Sequence, residues 1–142
     1  MHRYSYSRRV QWSECDPAGI IFFAQYAYWV SDGLMAMFLD LGVDPTAAPS
    51  DGQGTGLPSV RAVFNFLGVA RLHETVQHEI EVMRLGSSSL DFRHRVFRNS
   101  ACIMEAEERR VWVEANGINL RPVPVPERVR LLLGAETDSE HS

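Results

Sequence analysis

The sequence contains no lysine, and all 14 of its basic residues are arginine. Arginine suits bidentate contacts with phosphate groups, but genomic codon bias produces the same composition, so the missing lysine alone predicts no phosphate site. Together with 18 acidic residues, the arginines give a formal net charge of −4. We therefore expect no overall attraction to nucleic acid or to an anionic membrane. The sequence also lacks a basic helix-turn-helix segment, which argues against a DNA-binding regulator.

Cysteines and long apolar runs are also scarce. Cys15 and Cys102 do not occur at a ligand spacing typical of zinc sites, and a disulfide between them remains open. No apolar run approaches the ~20 residues of a membrane span, and the first residues lack the apolar core of a secretion signal. We therefore expect a cytoplasmic protein with both thiols free, without a metal, a cofactor or a membrane partner.

The length and the apolar content predict one folded domain. A chain of 142 residues with an apolar fraction of 45% can fill one hydrophobic core. We expect that core within residues 3–133, followed by a polar tail over 134–142.

Apolar and polar residues alternate in five segments, which predicts strands over 4–12, 57–68, 74–85, 88–98 and 102–115. A helix is predicted over 24–41, ending at Gly42, and a second helix begins near Pro126. Residues 43–56 are expected to form a loop. Tight turns join the later strands, so they should be antiparallel. The first helix is apolar on nearly all sides, which indicates that protein surrounds it. The predicted fold class is α+β: a curled antiparallel sheet of about five strands wrapped around a long central helix.

Three polar residues fall on apolar faces of the predicted elements. Arg8 is the exception in the first strand, and His78 and His94 lie on apolar faces of later strands. For both histidines we expect packed, hydrogen-bonded side chains rather than catalytic groups. For Glu14 we expect a structural role, or a role in supporting neighbouring site residues from behind.

The most informative segment runs from Glu14 to Tyr26, with Asp16 before a Pro-Ala-Gly turn and an aromatic helix start. A carboxylate beside a helix N-terminus can perform acyl chemistry, because backbone N–H groups hold the developing oxyanion while the carboxylate attacks or activates water. Aspartate before proline is also common in ordinary turns. Cys15 has no histidine nearby in the sequence, so we expect an inert thiol.

The segment closely resembles the active-site segment of the 4-hydroxybenzoyl-CoA thioesterase family, which belongs to the hotdog-fold acyl-CoA thioesterases. Further matches are Arg9–Trp12, Trp29, Gly68–Arg71, Gly86–Ser89 and Pro124–Pro126. The resemblance covers about residues 3–133. It implies the hotdog fold and hydrolysis of a CoA thioester substrate.

The resemblance also implies roles for particular residues. Asp16 matches the catalytic carboxylate, and Phe23 matches the residue whose backbone N–H polarises the thioester carbonyl. The residues expected to bind substrate are Gly19, Phe22 and Tyr26 at the thioester end, and Arg84, Ser87, Ser88 and Ser89 along the CoA arm. The family builds dimers with pockets at the subunit interface, and often tetramers, so we expect a homodimer or homotetramer.

Several alternatives remain open from the sequence. Asp16 can act as nucleophile or as general base. A hotdog dehydratase or hydratase would pair its carboxylate with a histidine near the helix, and residues 14–41 contain none. A non-catalytic acyl-CoA-binding module is the third possibility. Phe23 favours the hydroxybenzoyl branch, whereas Leu57 stands where a small polar residue can occur near the acyl pocket, so the acyl group is not predicted.

Overall fold

The computed structural model describes residues 1–46 and 53–134, so the predicted tail beyond Gly134 lies outside the described residues. The strands are β1 (Arg3–Arg9), β2 (Gln53–Gly56), β3 (Ser59–Phe66), β4 (Thr75–Leu85), β5 (Ser89–Arg98), β6 (Ala101–Val111), β7 (Val113–Asn116) and β8 (Asn119–Pro122). The helices are α1 (Gln25–Asp40) and α2 (Glu127–Gly134), and Trp12–Glu14 form a short 3₁₀ turn. Within these ranges, no helix is long and apolar enough to span a membrane.

The main sheet has five antiparallel strands in the order β1-β4-β5-β6-β3. The alternation of buried and partly exposed residues explains why these segments form strands with one face on the core. Along β5 the buried residues are Leu90, Phe92, His94 and Val96, and the residues between them are partly exposed. Asn99 and Ser100 have φ values of 49° and 68°, which form the predicted tight turn between β5 and β6. The antiparallel arrangement predicted from the turns is therefore confirmed.

A second, three-stranded sheet in the order β2-β7-β8 differs from the prediction. The predicted strand over 102–115 is two strands, because Trp112 between them is buried in the core and its backbone N–H donates to the Ser88 carbonyl at 2.7 Å. Residues 53–56 form β2 rather than loop. Their Gln-Gly-Thr-Gly sequence carries no alternating apolar pattern. Of the loop predicted over 43–56, residues 47–52 lie outside the described residues.

Helix α1 packs one face against the main sheet. Its 16 residues are slightly fewer than predicted, and Gly42 ends it with a φ of 77°. The buried residues of the helix are Tyr26, Trp29, Val30, Gly33, Leu34, Met37 and Phe38. Tyr28 and Leu39 on the opposite side are 64% and 56% exposed. The prediction that protein surrounds this helix is therefore wrong within one chain. The sheet contacts only one face of the helix, and apolar residues also lie on the opposite face, which is exposed.

A chain of buried and partly buried polar side chains crosses the sheet beneath α1. The Tyr6 hydroxyl lies 2.7 Å from His78 Nδ1, and His78 Nε2 lies 2.9 Å from His94 Nδ1. His94 Nε2 lies 2.9 Å from Glu108 Oε1, and Glu108 Oε2 accepts a bond from Arg110 Nε at 3.0 Å. The predicted packing of both histidines is confirmed, since each is fully buried and bonded at both ring nitrogens.

Candidate active site

Asp16 begins the tight turn of a small hairpin. The turn closes with a bond from the Gly19 N–H to the Asp16 carbonyl at 2.9 Å, with Pro17 at its second position and Gly19 at a φ of 77°. The Asp16 N–H donates to the Ile20 carbonyl at 2.9 Å, which pairs the two arms. The space beside Gly19 is open, since a Cβ there would meet nothing within 4 Å.

The Asp16 carboxylate is partly held and partly available. Its Oδ1 accepts a hydrogen bond from the Ala18 N–H at 2.9 Å, which fixes the side chain over the turn. Its Oδ2 has no hydrogen-bond partner among residues 1–46 and 53–134. The side chain is half-exposed, so a ligand or a water molecule can reach this oxygen.

The hairpin leads directly into the start of α1, where two backbone donors are free. The Phe22 N–H donates to the Glu14 carbonyl at 3.0 Å, and the Gln25 N–H donates to the Phe22 carbonyl at 2.9 Å. Between them, the N–H groups of Phe23 and Ala24 have no acceptor in the described part of the chain. Ala24 also provides no side-chain cap. Free N–H groups at a helix N-terminus attract a developing oxyanion. The sequence predicted the Phe23 N–H as such a donor but did not point to that of Ala24.

Aromatic side chains cover the surface next to these donors. Phe23 is 62% exposed, and its ring centroid lies 5.0 Å from that of Phe22 and 6.0 Å from that of Phe66. Phe66 ends the edge strand β3 and is 49% exposed. The sequence did not point to Phe66 as a site residue, although Phe64 and Phe66 are two residues apart and therefore lie on the same face of a predicted strand. We call Phe22, Phe23 and Phe66 the aromatic surface.

Tyr26 lies beneath the aromatic surface rather than on it. The residue is 3% exposed, and its ring centroid lies 5.6 Å from that of Phe66. Its hydroxyl has no hydrogen-bond partner within the described residues, and burial raises the pKa of Tyr26 to about 12. Its position supports the ring of Phe66 from below.

The predicted CoA-arm residues lie at the opposite end of the main sheet. The Leu72 N–H donates to the Gly19 carbonyl at 3.0 Å, so the Asp16 hairpin lies near the start of β4. Arg84 and the serines lie at the end of β4 and in the turn that follows, and a strand of 11 residues spans about 35 Å. In that turn Arg84 Nη1 donates to Ser89 Oγ at 3.3 Å, and Arg130 of α2 donates to the Ser87 carbonyl. One chain therefore does not bring Arg84 and Asp16 together.

Cys15 is a poor nucleophile in this position. Desolvation, followed by the neighbouring carboxylates of Glu14 and Asp16, raises the pKa of the Cys15 thiol. A raised pKa lowers the fraction of thiolate, which is the reactive form. The inert thiol expected from the sequence agrees with this environment.

Comparison with solved structures identifies the class of fold. The structure superposes on a gentisyl-coenzyme A thioesterase with a TM-score of 0.78 at 26% identity, covering 89% of this chain and 99% of the other. It also superposes on a 1,4-dihydroxy-2-naphthoyl-CoA thioesterase from Synechocystis with a TM-score of 0.82 at 15% identity, covering 93% and 96%. The chain therefore has the α+β fold of the hotdog thioesterases, an antiparallel sheet packed against a helix.

Sequence comparison gives the family. The profile of the Thioesterase-like superfamily matches residues 10–133, and the chain belongs to this family. It is 28% identical over 125 residues to the 4-hydroxybenzoyl-CoA thioesterase of Pseudomonas sp. strain CBS-3, covering 84% of this chain and 89% of the relative. The resemblance inferred from the Asp16 segment is confirmed, and so is the expectation of a thioester hydrolase.

Proposed function

We propose that this enzyme hydrolyses an acyl-CoA thioester to the free acid and CoA, with Asp16 and the N-terminus of α1 as its two reactive parts. The proposal rests on one observation: the Asp16 hairpin is followed directly by two N–H groups without an acceptor among the described residues, those of Phe23 and Ala24. The same hairpin presents a carboxylate with one unbonded oxygen. Thioester hydrolysis needs a group that attacks or activates water, and a site for negative charge on the carbonyl oxygen.

In the proposed mechanism, the thioester carbonyl oxygen accepts hydrogen bonds from the N–H groups of Phe23 and Ala24. Preorganised donors of this kind lower the barrier by about 3–4 kcal/mol each. By one route Asp16 attacks the carbonyl carbon, the C–S bond breaks, CoA leaves as thiolate, and water hydrolyses the mixed anhydride. By the other, Asp16 takes a proton from water as the water attacks, and the thiolate leaves in the same way.

The aromatic surface favours an aryl acyl group. Phe22, Phe23 and Phe66 present exposed rings beside the proposed oxyanion donors. Aromatic rings bind flat aromatic groups by offset or edge-to-face contact, which is worth about 0.5–1.5 kcal/mol beyond area burial. The names of two similar proteins contain the hydroxybenzoyl and gentisyl groups, which are both aromatic acyl groups. We therefore propose an aryl-CoA, such as 4-hydroxybenzoyl-CoA, as substrate.

A second copy of the chain is part of the proposal. Arg84, Ser87, Ser88 and Ser89 are proposed to bind the CoA arm, yet they lie about 35 Å along β4 from the Asp16 end of the sheet. A homodimer or homotetramer that sets this turn of one copy beside Asp16 of another completes the site. We propose this enzyme as one cytoplasmic domain over residues 1–142. It would need no cofactor and no nucleic-acid or membrane partner.

The direct experiment is a thiol-release assay over a panel of aromatic and aliphatic CoA esters. We expect release of free CoA with kcat/KM highest for an aromatic ester. Binding of CoA esters without thiol release would contradict the enzyme assignment, and enoyl-CoA hydration faster than thioester cleavage would favour a hydratase.

A further inference from the structure

Glu14 is a buried carboxylate that belongs to the same hairpin as Asp16. The residue is 8% exposed, and three groups donate to its two oxygens. The Gln11 N–H donates to Oε1 at 2.8 Å, while Trp29 Nε1 donates to Oε2 at 2.6 Å and Arg8 Nη2 donates to the same oxygen. A buried carboxylate with three donors is held in one geometry, because moving it would break charge-assisted bonds.

The three donors belong to different parts of the fold. Arg8 is on β1, and Gln11 opens the 3₁₀ turn that ends at Glu14. Trp29 is on the buried face of α1, four residues after the helix begins. The Glu14 side chain thus ties the first strand, the helix and the hairpin to one another.

The backbone of Glu14 acts on the proposed catalytic groups. Its carbonyl accepts the Phe22 N–H at 3.0 Å, and the two free donors of Phe23 and Ala24 follow directly in the chain. In the other direction, Asp16 lies two residues beyond Glu14. A shift of Glu14 therefore moves the carboxylate of Asp16 and the oxyanion donors relative to each other.

Arg8 connects this arrangement to the core beneath the helix. Its guanidinium lies over the Trp29 ring, 4.2 Å from the ring centroid. Arg8 and Trp29 also donate to the same acceptor, Glu14 Oε2. Burial raises the pKa of Tyr6 against the opposing charge of Arg8, whereas burial, His94 and Arg8 all lower the pKa of His78. The charge of Arg8 thus acts both on Glu14 and on the polar chain below α1.

We propose that Glu14 is a positioning residue for thioester hydrolysis: through Arg8 and Trp29 it fixes the Asp16 carboxylate against the free N–H groups at the start of α1. This rests on the proposed function. Glu14 itself does not touch the substrate, since its carboxylate is buried and both of its oxygens accept hydrogen bonds from within the fold. Misplacing groups that act only in the transition state lowers kcat more than it raises KM.

The test compares Glu14→Gln and Trp29→Phe with Val43→Ala, by thiol release and thermal unfolding. Glutamine removes the negative charge opposite Arg8 and replaces one of the two acceptor oxygens by an N–H₂ group that faces a donor. Phenylalanine removes the indole N–H donor of Trp29. We expect kcat to fall at least tenfold in each, with KM within twofold. Val43 is a core residue beyond the far end of α1, so Val43→Ala should lower Tm with kcat unchanged. The double variant Glu14→Gln/Trp29→Phe should be about as slow as the slower single variant, because both changes break one contact.

The outcomes separate this proposal from the proposed function. If the wild type cleaves thioesters and Asp16→Asn does not, yet Glu14→Gln keeps kcat within twofold, Glu14 has no positioning role. The same conclusion holds if kcat of Glu14→Gln falls only as far as its Tm does, and Val43→Ala loses kcat to the same extent for the same loss of Tm. If the wild type releases no thiol from any ester, the proposed function itself is wrong.

Discussion

Gly33 of α1 lies directly over the imidazole of His78. A Cβ built on Gly33 would come within 2.6 Å of His78 Cε1 and within 2.7 Å of the Tyr6 hydroxyl oxygen. The helix can approach the sheet this closely only because residue 33 has no side chain. The polar chain of Tyr6, His78 and His94 thus sets the distance between the helix and the sheet midway along α1.

Gly33→Ala should therefore destabilise the protein, although alanine is the better helix former by about 1 kcal/mol. The added methyl group must displace His78 or the helix, and overpacking of this kind costs about 1–3 kcal/mol. Urea unfolding measures the difference. Asp32→Ala, one residue away on the exposed side of the helix, should change stability by less than about 0.5 kcal/mol. A Gly33→Ala variant more stable than wild type would show that the helix is not seated on His78.

The polar chain should also make stability depend on pH. Burial, followed by the charges of His94 and Arg8, lowers the pKa of His78 well below 6.5. The folded state therefore keeps His78 neutral, and its contribution is complete above the unfolded pKa of 6.5. As the pH falls below 6.5, the unfolded state binds the proton first and stability declines.

The measurement is the free energy of unfolding at several pH values between 7.5 and 5. We expect His78→Gln to show a smaller decline over this range than wild type, with His73→Gln, a change in a turn, as the control. If the series is extended below about pH 4.5, wild type and His78→Gln should both lose further stability, because burial raises the pKa of Glu108 but His94 and Arg110 together hold it below its usual value. Equal slopes for His78→Gln and wild type above pH 5 would contradict this account.

The separation of Arg84 from Asp16 predicts complementation between two inactive or weakened chains. Arg84→Ala should raise KM for CoA esters, and Asp16→Asn should abolish turnover. In a mixed dimer of these variants, one of the two sites combines the intact Asp16 of one copy with the intact Arg84 of the other. Mixing should therefore restore activity with the wild-type KM.

Titration of one variant into the other, followed by thiol release, checks this. Mixing two batches of the same variant is the control and should restore nothing. If each site used Asp16 and Arg84 of the same copy, mixing would yield only the raised KM of Arg84→Ala, and the shared-site proposal would be wrong.

Local patterns predicted the elements that carry the site, but not the contacts between them. Helix α1 and the Asp16 turn follow from periodicity and from the Asp-Pro-Ala-Gly order, and the burial of His78 and His94 follows from alternation. The contact between Glu14 and Trp29 joins residues 15 apart, and that between Phe23 and Phe66 joins residues much further apart. No local pattern encodes such pairs. Trp112 ended a predicted strand because its side chain packs into the core, which is also a non-local effect.

The measurement that tests the central claim most directly is the turnover of Asp16→Asn on the best aromatic CoA ester. Asparagine keeps the size of the side chain and can still accept the Ala18 N–H, but it can neither attack the carbonyl carbon as a carboxylate nor take a proton from water. Asp32→Asn, an exposed carboxylate on α1, is the matched control and should keep full activity. We predict at least a hundredfold loss of kcat for Asp16→Asn with an unchanged Tm. Near-normal turnover in that variant would contradict the assignment of Asp16 as the catalytic group.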